Sequence, residues 1–408
     1  MKLSVKNCGI IKHAEIMLEG ITIIAGKNGT GKSTIGKLLY CIGRTFYNAD
    51  EHIREEKARQ IYMLLNSRIR EQIGMTRTRI NRSAVYEMVD TYLLTGEIKY
   101  PEKVEQIINQ SESKEENETY IKKTLEIYPI TILKSIFDRA VEVELGNNIF
   151  PANHPRRTLQ ISFEKDNREV INISKEKGKE LNIKSTTTLD KAVLFLDDPL
   201  IINDLSDNAE SPLMYNRFSH RADLYEKLNN NQDKESVIPQ IIGKSTWGEL
   251  NDILNEMCGG KLEEVSGLGY RYITPVYREP LSIESLSMGI KSILAIKTMI
   301  ENGSLNNVGL LIVDEPEVHL HPEWQFQLAK LLVVLFKVTN VKILLSTHSA
   351  DFLSAINYYS KQYDLMKATH YYQTRKEKEY SIITDVTDQL DLIYQDLSAP
   401  FLNIAEKL

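Results

Sequence analysis

The chain has 408 residues, of which 42% are hydrophobic and 26% are charged, and its formal net charge is −6. This composition is typical of a globular protein with a sizeable core, and the acidic balance argues against a strongly basic nucleic-acid-binding protein. The three cysteines lie far apart without a metal-binding spacing, the N-terminus lacks the apolar core of a signal peptide, and no apolar run is long enough to span a bilayer. We therefore expect a cytoplasmic protein that is not associated with a membrane.

The first predicted elements are short strands that end in the apolar run "ITIIA", which leads directly into "GKNGTGKST" at residues 26–34. This stretch fits the phosphate-loop pattern G-x-x-x-x-G-K-[ST], in which glycines allow backbone N–H groups to approach phosphates closely. Lys32 supplies a positive charge for the phosphates, and Ser33 supplies a hydroxyl ligand for Mg²⁺. The nucleotide-binding residues that we expect here are Gly26, Asn28, Gly29, Thr30, Gly31, Lys32, Ser33 and Thr34. The sequence thus predicts ATP and Mg²⁺ as cofactors.

A helix is predicted to follow this loop, from about residue 32 to 47, and the region after it is also mostly helical. Apolar residues recur there at helical spacing, and no heptad pattern persists over enough repeats to form a long coiled coil. We predict a helical insertion over residues 49–154, and a single α/β head built from residues 1–48 and 155–408 together.

The sequence after the insertion changes to strand patterns. The runs "TLQISFEK", "EVINISKEK" and "ELNIKS" alternate apolar and polar residues, which predicts antiparallel strands. The apolar run in "KAVLFLDDPL" predicts a buried strand that ends at Asp197. From residue 283 onward, helical patterns alternate with the buried runs "VGLLIV" and "KILLS", which indicates parallel strands. The predicted fold class is α/β, with a mixed sheet and flanking helices.

Polar residues follow the last two buried runs. In "VGLLIVDEPE", Asp314 is placed to bind Mg²⁺, and Glu315 is placed to deprotonate the attacking water. In "KILLSTHS", His348 is placed to hydrogen-bond the γ-phosphate. We expect Glu315 and His348 to be the catalytic residues, and Ser33 and Asp314 to be the metal ligands.

The order of phosphate loop, "LSMG", "DEPE" and "STHS" resembles the ATP-binding-cassette ATPase superfamily, and "DEPEVHLHP" is similar to its SMC-like and OLD-like branches. The resemblance is strong over residues 1–39 and 282–353. In that family, a signature Ser and Gly of one subunit cover the γ-phosphate held by the other subunit; the matching positions here are Ser287 and Gly289. The resemblance implies a cassette-type head and ATP sandwiched in a homodimer or higher homo-oligomer.

Two departures from the family narrow the function that it implies. Only about 60 residues follow His348, without the spaced acidic residues of a Toprim nuclease domain, and the long coiled coils of SMC proteins are not predicted. The chain resembles compact ATPase subunits of bacterial anti-phage defence systems of the Septu and PARIS kind. The resemblance implies a conformational switch that controls a separate effector, a nuclease or a toxin.

Other functions remain open at this stage. An SMC- or Rad-like repair ATPase would bind nucleic acid in an ATP-dependent, salt-sensitive way. A nucleotide-dependent scaffold would show little turnover, and the cytosolic subunit of a transporter would associate with a membrane.

The glutamine that bridges Mg²⁺ and water in cassette ATPases has no clear counterpart. Asp197 and Asp198 occupy the expected strand end and either contact Mg²⁺ or a partner subunit, or cap the next segment; Gln240 is a weaker candidate. His319 and His321 are too few for a zinc site, and we expect them in a loop at the subunit interface.

Overall fold

The computed structural model describes residues 1–72, 81–111, 113–150, 158–206, 216–230 and 244–405. These residues form two compact units, one of Met1–Arg44 with Asp138–Leu408 and one of Thr45–Phe137. The second unit is shorter than the insertion expected over residues 49–154. The second unit ends before residue 154 because the residues that follow it belong to the first unit, where Asp138 pairs with Lys175 and Glu144 pairs with His220. The candidate Gln240 lies outside the described residues.

The described strands all belong to the first unit. They are β1 (Lys2–Cys8), β2 (Ile11–Met17), β3 (Ile21–Ala25), β4 (Thr158–Lys165), β5 (Arg168–Glu176), β6 (Asn182–Ser185), β7 (Ala192–Leu196), β8 (Lys261–Val265), β9 (Gly269–Ile273), β10 (Val308–Asp314), β11 (Lys342–Thr347), β12 (Thr369–Glu377) and β13 (Tyr380–Asp385).

The helices occur in both units. They are α1 (Lys32–Phe46), α2 (Ala49–Gln72), α3 (Arg82–Thr95), α4 (Glu102–Gln110), α5 (Lys114–Glu126), α6 (Pro129–Leu145), α7 (His220–Leu228), α8 (Lys244–Cys258), α9 (Met288–Glu301), α10 (Pro322–Thr339), α11 (Ala350–Gln362) and α12 (Asp391–Ala405).

Eleven of the described strands form one mixed sheet in the order β6-β5-β4-β1-β2-β13-β12-β3-β11-β10-β7. One half is antiparallel, because β4, β5 and β6 join each other and β1 by antiparallel pairing. The other half, from β12 to β7, is parallel throughout. The predicted α/β class with a mixed sheet is therefore confirmed. The hairpin of β8 and β9 forms a separate small sheet.

The parallel half of the sheet is buried because its strands are almost wholly apolar. All five residues of β3 are buried, and so are Leu311 at the centre of β10 and Leu344 in β11. Helices α9, α10 and α11 contribute to the same apolar core. This continuous apolar pattern is what parallel strands covered on both faces require. The predicted site residues Asp314, Glu315 and His348 lie at the carboxyl ends of β10 and β11, so the burial of these strands fixes where those residues lie.

The second unit is helical, as predicted for its part of the sequence. Residues from α2, α3, α4 and α5 share an apolar core that includes Ile61, Val85, Met88, Ile108 and Ile121. Within the described ranges, no helix combines the length and the apolarity that crossing a membrane would demand.

The turn before β3 provides a test of backbone constraint in the fold. Gly20 has a φ of +84°, and a Cβ built on it would lie 2.1 Å from the Ala368 carbonyl oxygen, whereas Gly178 has a similar φ of +81° and open space around it. We expect Gly178→Ala to lower the free energy of unfolding by about 1 kcal/mol through backbone strain alone. Gly20→Ala should cost at least about 1 kcal/mol more, because it adds a steric clash. Denaturant unfolding measures both, and equal losses would contradict this account.

Candidate functional site

Four neighbouring parallel strands end at one edge of the sheet. Ala25 at the end of β3 lies opposite Thr347 of β11, Asp314 of β10 lies opposite Ser346, and Leu196 of β7 lies opposite Val313. The turns that follow these strands therefore meet, as is usual at the carboxyl edge of a parallel sheet. The phosphate-loop, "DEPE" and "STHS" motifs, far apart in the sequence, thus form one site.

The phosphate loop is fixed by its strand neighbours on both sides. The Gly26 amide donates to the Thr347 carbonyl at 3.3 Å, and a Cβ on Gly26 would lie 2.1 Å from the Thr374 hydroxyl oxygen. Gly26 and Gly31 have φ values of +153° and +94°. Only glycine adopts such values easily, so the backbone conformation of the loop requires glycine at both positions. Four other predicted loop residues are exposed or half-buried: Asn28, Gly29, Ser33 and Thr34.

Lys32 lies under this loop and is 5% exposed. Its ammonium group donates to the carbonyls of Gly26 at 2.9 Å and Lys27 at 3.1 Å, and it lies 3.8 Å from Glu315 Oε1. Burial lowers the pKa of Lys32, and nearby carboxylates, with Glu315 the largest contributor, oppose that shift. The ammonium charge is therefore held inside the loop, where a phosphate would replace the carbonyls.

Asp314, the predicted metal ligand, lies at the end of β10. Its carboxylate accepts a hydrogen bond from the Ser346 hydroxyl. Burial raises the pKa of Asp314, while the hydroxyls of Ser346 and Ser33 act in the opposite direction. The negative charges of Glu315 and Asp197 add to the rise. A carboxylate in such surroundings gains stability from a bound cation.

The Glu315 carboxylate lies close to both Lys32 and His348. Its backbone has a φ of +48°, a strained conformation for a residue other than glycine, and its amide donates to the Ser346 carbonyl at 3.0 Å. Its Oε1 atom lies 3.4 Å from His348 Nδ1. The structure thus brings the two predicted catalytic side chains into contact.

Glu317 ties the ends of β10 and β11 together, a role that the sequence alone did not suggest. Its Oε1 accepts from the Thr347 hydroxyl at 2.5 Å and from the His348 amide at 3.2 Å. The side chain is 3% exposed, and burial raises its pKa while these hydrogen bonds lower it. Glu317 therefore sets the position of the backbone that carries His348.

The predicted signature residues lie at the start of α9. Ser287 is exposed and caps this helix, with its hydroxyl accepting from the Ile290 amide at 3.4 Å. Gly289 is buried against the loop after β10, because a Cβ there would lie 2.8 Å from Leu320 Cδ2. Close packing within the chain is thus one reason for the glycine, in addition to the approach of phosphate that we expected.

The two aspartates after β7 have different partners. Asp198 caps the 3₁₀ turn at Pro199–Leu205 by accepting from the Leu200 amide, and it also pairs with Arg221 at 2.6 Å. Asp197 instead lies with its Oδ1 atom 2.9 Å from His220 Nε2. Of the two histidines in "EVHLHP", His321 caps α10.

Two further contacts to the phosphate loop come from the C-terminal region, in which no sequence motif pointed to the site. The Thr374 hydroxyl of β12 lies 2.6 Å from the Thr30 hydroxyl, and Asp396 of α12 pairs with Lys27 at 3.0 Å. The sequence holds no local signal for either, because the partners are more than 340 residues apart and meet only through strand order.

Glu317 can be tested by truncation. Glu317→Ala should lower the free energy of unfolding by about 1–3 kcal/mol, because the Thr347 hydroxyl and the His348 amide lose their acceptor. Glu317→Gln retains an acceptor oxygen and should cost clearly less. Denaturant unfolding measures both variants. Equal losses for the two would show that Glu317 stabilises the site by another means.

The family model and the relatives that match this chain are described as ATPases or probable ATPases, as the order of the motifs predicts. A family model described as an AAA ATPase domain matches residues 1–353. The retron Vc95 probable ATPase of Vibrio cholerae serotype O1 biovar El Tor is 30% identical over 138 residues, which are 31% of this chain and 26% of that protein. The retron Ec83 probable ATPase of Escherichia coli is 30% identical over 176 residues, 40% of this chain and 31% of that protein. The matched segments thus cover less than a third of either relative.

Similar solved structures include two SMC heads. An SMC head bound to the C-winged helix domain of ScpA has a TM-score of 0.45 at 11% identity, over 96% of this chain and 98% of that one. The SMC head domain from Thermotoga maritima has a TM-score of 0.41 at 12% identity, over 94% of this chain and 98% of that one. Both scores are too low to carry a conclusion about this chain. The family model, in contrast, covers well over half of the 408 residues, and the chain therefore belongs to the AAA ATPase domain family.

Proposed function

We propose that this chain is a Mg²⁺-dependent ATPase in which two copies sandwich ATP between them, and that it acts as a switch controlling a separate effector protein in anti-phage defence. The observation that supports the ATPase chemistry is the meeting of Lys32, Asp314, Glu315 and His348 at the carboxyl edge of four parallel strands. These are the groups that phosphoryl transfer to water requires: a charge for the phosphates, a carboxylate for the metal and a base for the water.

The donor set at this edge fits Mg²⁺. Ser33 and Asp314 offer one hydroxyl and one carboxylate oxygen beside the phosphate loop. Within the described ranges, no three His, Cys, Asp or Glu side chains are grouped so as to hold a metal by themselves. Mg²⁺ in nucleotide sites is held in this way, by one or two carboxylates together with phosphate oxygens and water. When bound, the ion would be held by Ser33 and Asp314 and would neutralise negative charge on the phosphates.

The other residues then have definite tasks. The Lys32 ammonium exchanges its two loop carbonyls for phosphate oxygens. Glu315 accepts a proton from the attacking water, and its contact with His348 restricts the carboxylate to one side of the site. His348, with a side chain 41% exposed, remains accessible to the γ-phosphate. Glu317 keeps its backbone in place.

The second half of the site belongs to the partner copy in this proposal. Ser287 is exposed at the N-terminus of α9, where the hydroxyl and the positive end of the helix suit an anionic oxygen. ATP bound to the phosphate loop of one copy would also contact α9 of the other copy, and hydrolysis would release the two copies. Such a cycle is a conformational switch driven by the γ-phosphate.

The effector role rests on family relationships. The Vibrio cholerae and Escherichia coli relatives are both retron probable ATPases, and the motif order resembles ATPase subunits of defence systems. We propose that the effector is a separate nuclease or toxin. Nucleic acid remains a candidate ligand of the assembly.

Glu315→Gln tests the sandwich. Removal of the base should slow hydrolysis by roughly 10²–10⁴-fold while ATP binding is kept. The trapped complex should double in mass when ATP is added, as measured by light scattering. Glu323→Gln, an exposed site on α10, is the matched control and should hydrolyse ATP normally. If the Glu315→Gln variant stays monomeric with saturating ATP, the two-copy site is wrong.

Ser287→Arg tests the partner's contribution. The variant should bind ATP with unchanged affinity, because the phosphate loop is intact, and should lose hydrolysis because the arginine blocks the second copy. In the Glu315→Gln background it should also abolish the ATP-dependent doubling of mass. Ser83→Arg, exposed in the first turn of α3, is the control. Normal turnover by Ser287→Arg would reduce this serine to a helix cap.

A further inference from the structure

A buried row of three titratable side chains adjoins the candidate metal site and has no task in the ATPase proposal. Glu144 Oε2 lies 2.8 Å from His220 Nδ1, and His220 Nε2 lies 2.9 Å from Asp197 Oδ1. The side chains of Glu144, His220 and Asp197 are 2%, 7% and 22% exposed. Exposure thus rises along the row, and Asp197 is its open end.

Asp197 faces the same space as the proposed metal ligand. Leu196 and Val313 are paired in neighbouring parallel strands, so that Asp197 and Asp314 are the next residues along each strand. Both aspartates and Glu315 line one cavity of about 190 Å³. Asp198 also lines this cavity, but both of its carboxylate oxygens are engaged, Oδ1 by the Leu200 amide and Oδ2 by Arg221, whereas the contact of Asp197 with His220 involves Oδ1 alone. Asp197 is therefore the carboxylate from this strand that is available to the site.

His220 is held so that it can direct Asp197. Its amide donates to Glu144 Oε1 at 2.8 Å while its ring contacts the other oxygen of the same carboxylate, so backbone and ring are both anchored. The ring also packs on Phe195, with 4.8 Å between centroids. Burying an ionic row costs more free energy than burying apolar residues of the same size. Outer-shell side chains that contact a ligating carboxylate orient it at metal sites, and His220 lies in that position relative to Asp197.

We infer that Asp197 is the second carboxylate of the Mg²⁺ site, contacting the hydrated ion opposite Asp314, and that the His220–Glu144 pair is the positioning device that holds it there. This inference rests on the proposed function, because the ion arrives with the nucleotide. Two carboxylates with phosphate oxygens are within the normal ligand set of Mg²⁺. They also explain why the cavity is lined by carboxylates on two neighbouring strands.

The test measures metal dependence without hydrolysis. In the Glu315→Gln background, binding of a fluorescent ATP analogue is titrated with Mg²⁺, and also measured in EDTA. Asp197→Asn should raise the Mg²⁺ concentration for half-maximal tightening about tenfold and leave the affinity in EDTA unchanged. His220→Gln should raise it less, and the Asp197→Glu variant should recover part of the loss. Asp190→Asn, an exposed aspartate just before β7, should change nothing.

The outcomes separate the two proposals. If the parent Glu315→Gln protein binds no nucleotide at any Mg²⁺ concentration, the ATPase proposal fails. If it binds with a Mg²⁺ dependence that Asp197→Asn and His220→Gln leave unaltered, the ATPase proposal stands and the role of Asp197 is overturned. Thermal unfolding of each variant identifies one that has lost its fold, and in that case the remaining variant decides.

Discussion

The candidate site depends on one constraint, the parallel pairing of β7, β10, β11 and β3 in adjacent positions of the sheet. Parallel strands place all their carboxyl ends on one edge, so residues 25, 197, 314 and 347 come together although the chain separates them widely. The apolar runs of these strands are buried on both faces. The same hydrophobic burial that stabilises the sheet therefore brings charges together at its edge, where hydrogen bonds and ion pairs must compensate them.

The need to compensate these charges explains why the motifs are joined by several hydrogen bonds and ion pairs. Lys32 is balanced by Glu315, Asp314 by the hydroxyls of Ser33 and Ser346, and Glu317 by Thr347 and His348. Asp314 and Glu317 both contact the end of β11, and Glu315 contacts Lys32 after β3 and His348 after β11, so short polar contacts link the three motifs. In the proposed function, exchange of the two carbonyls at Lys32 for phosphate oxygens would change the charge balance around Glu315.

Much of the fold was predictable because its signals are local. The buried runs in β3, β10 and β11, the alternation in β4 and β5 and the helical insertion all follow from residue patterns of a few positions. The phosphate loop was equally clear, since its glycines meet a backbone requirement. Gly289 was predicted only in part, because its packing against Leu320 depends on two segments that approach in space.

The sequence by itself determined the chemistry of the chain: a phosphate loop, a carboxylate pair after a buried strand, and a histidine after another, in the order of an ATPase family. Only the tertiary structure decided how Asp197 and Asp198 divide their tasks, that Glu317 links two strands, and that Thr374 and Asp396 reach the phosphate loop. The reason is physical. The residues of a motif are neighbours in the sequence, so the sequence alone reveals them. These contacts instead depend on strand order, which is determined by burial across the whole sheet.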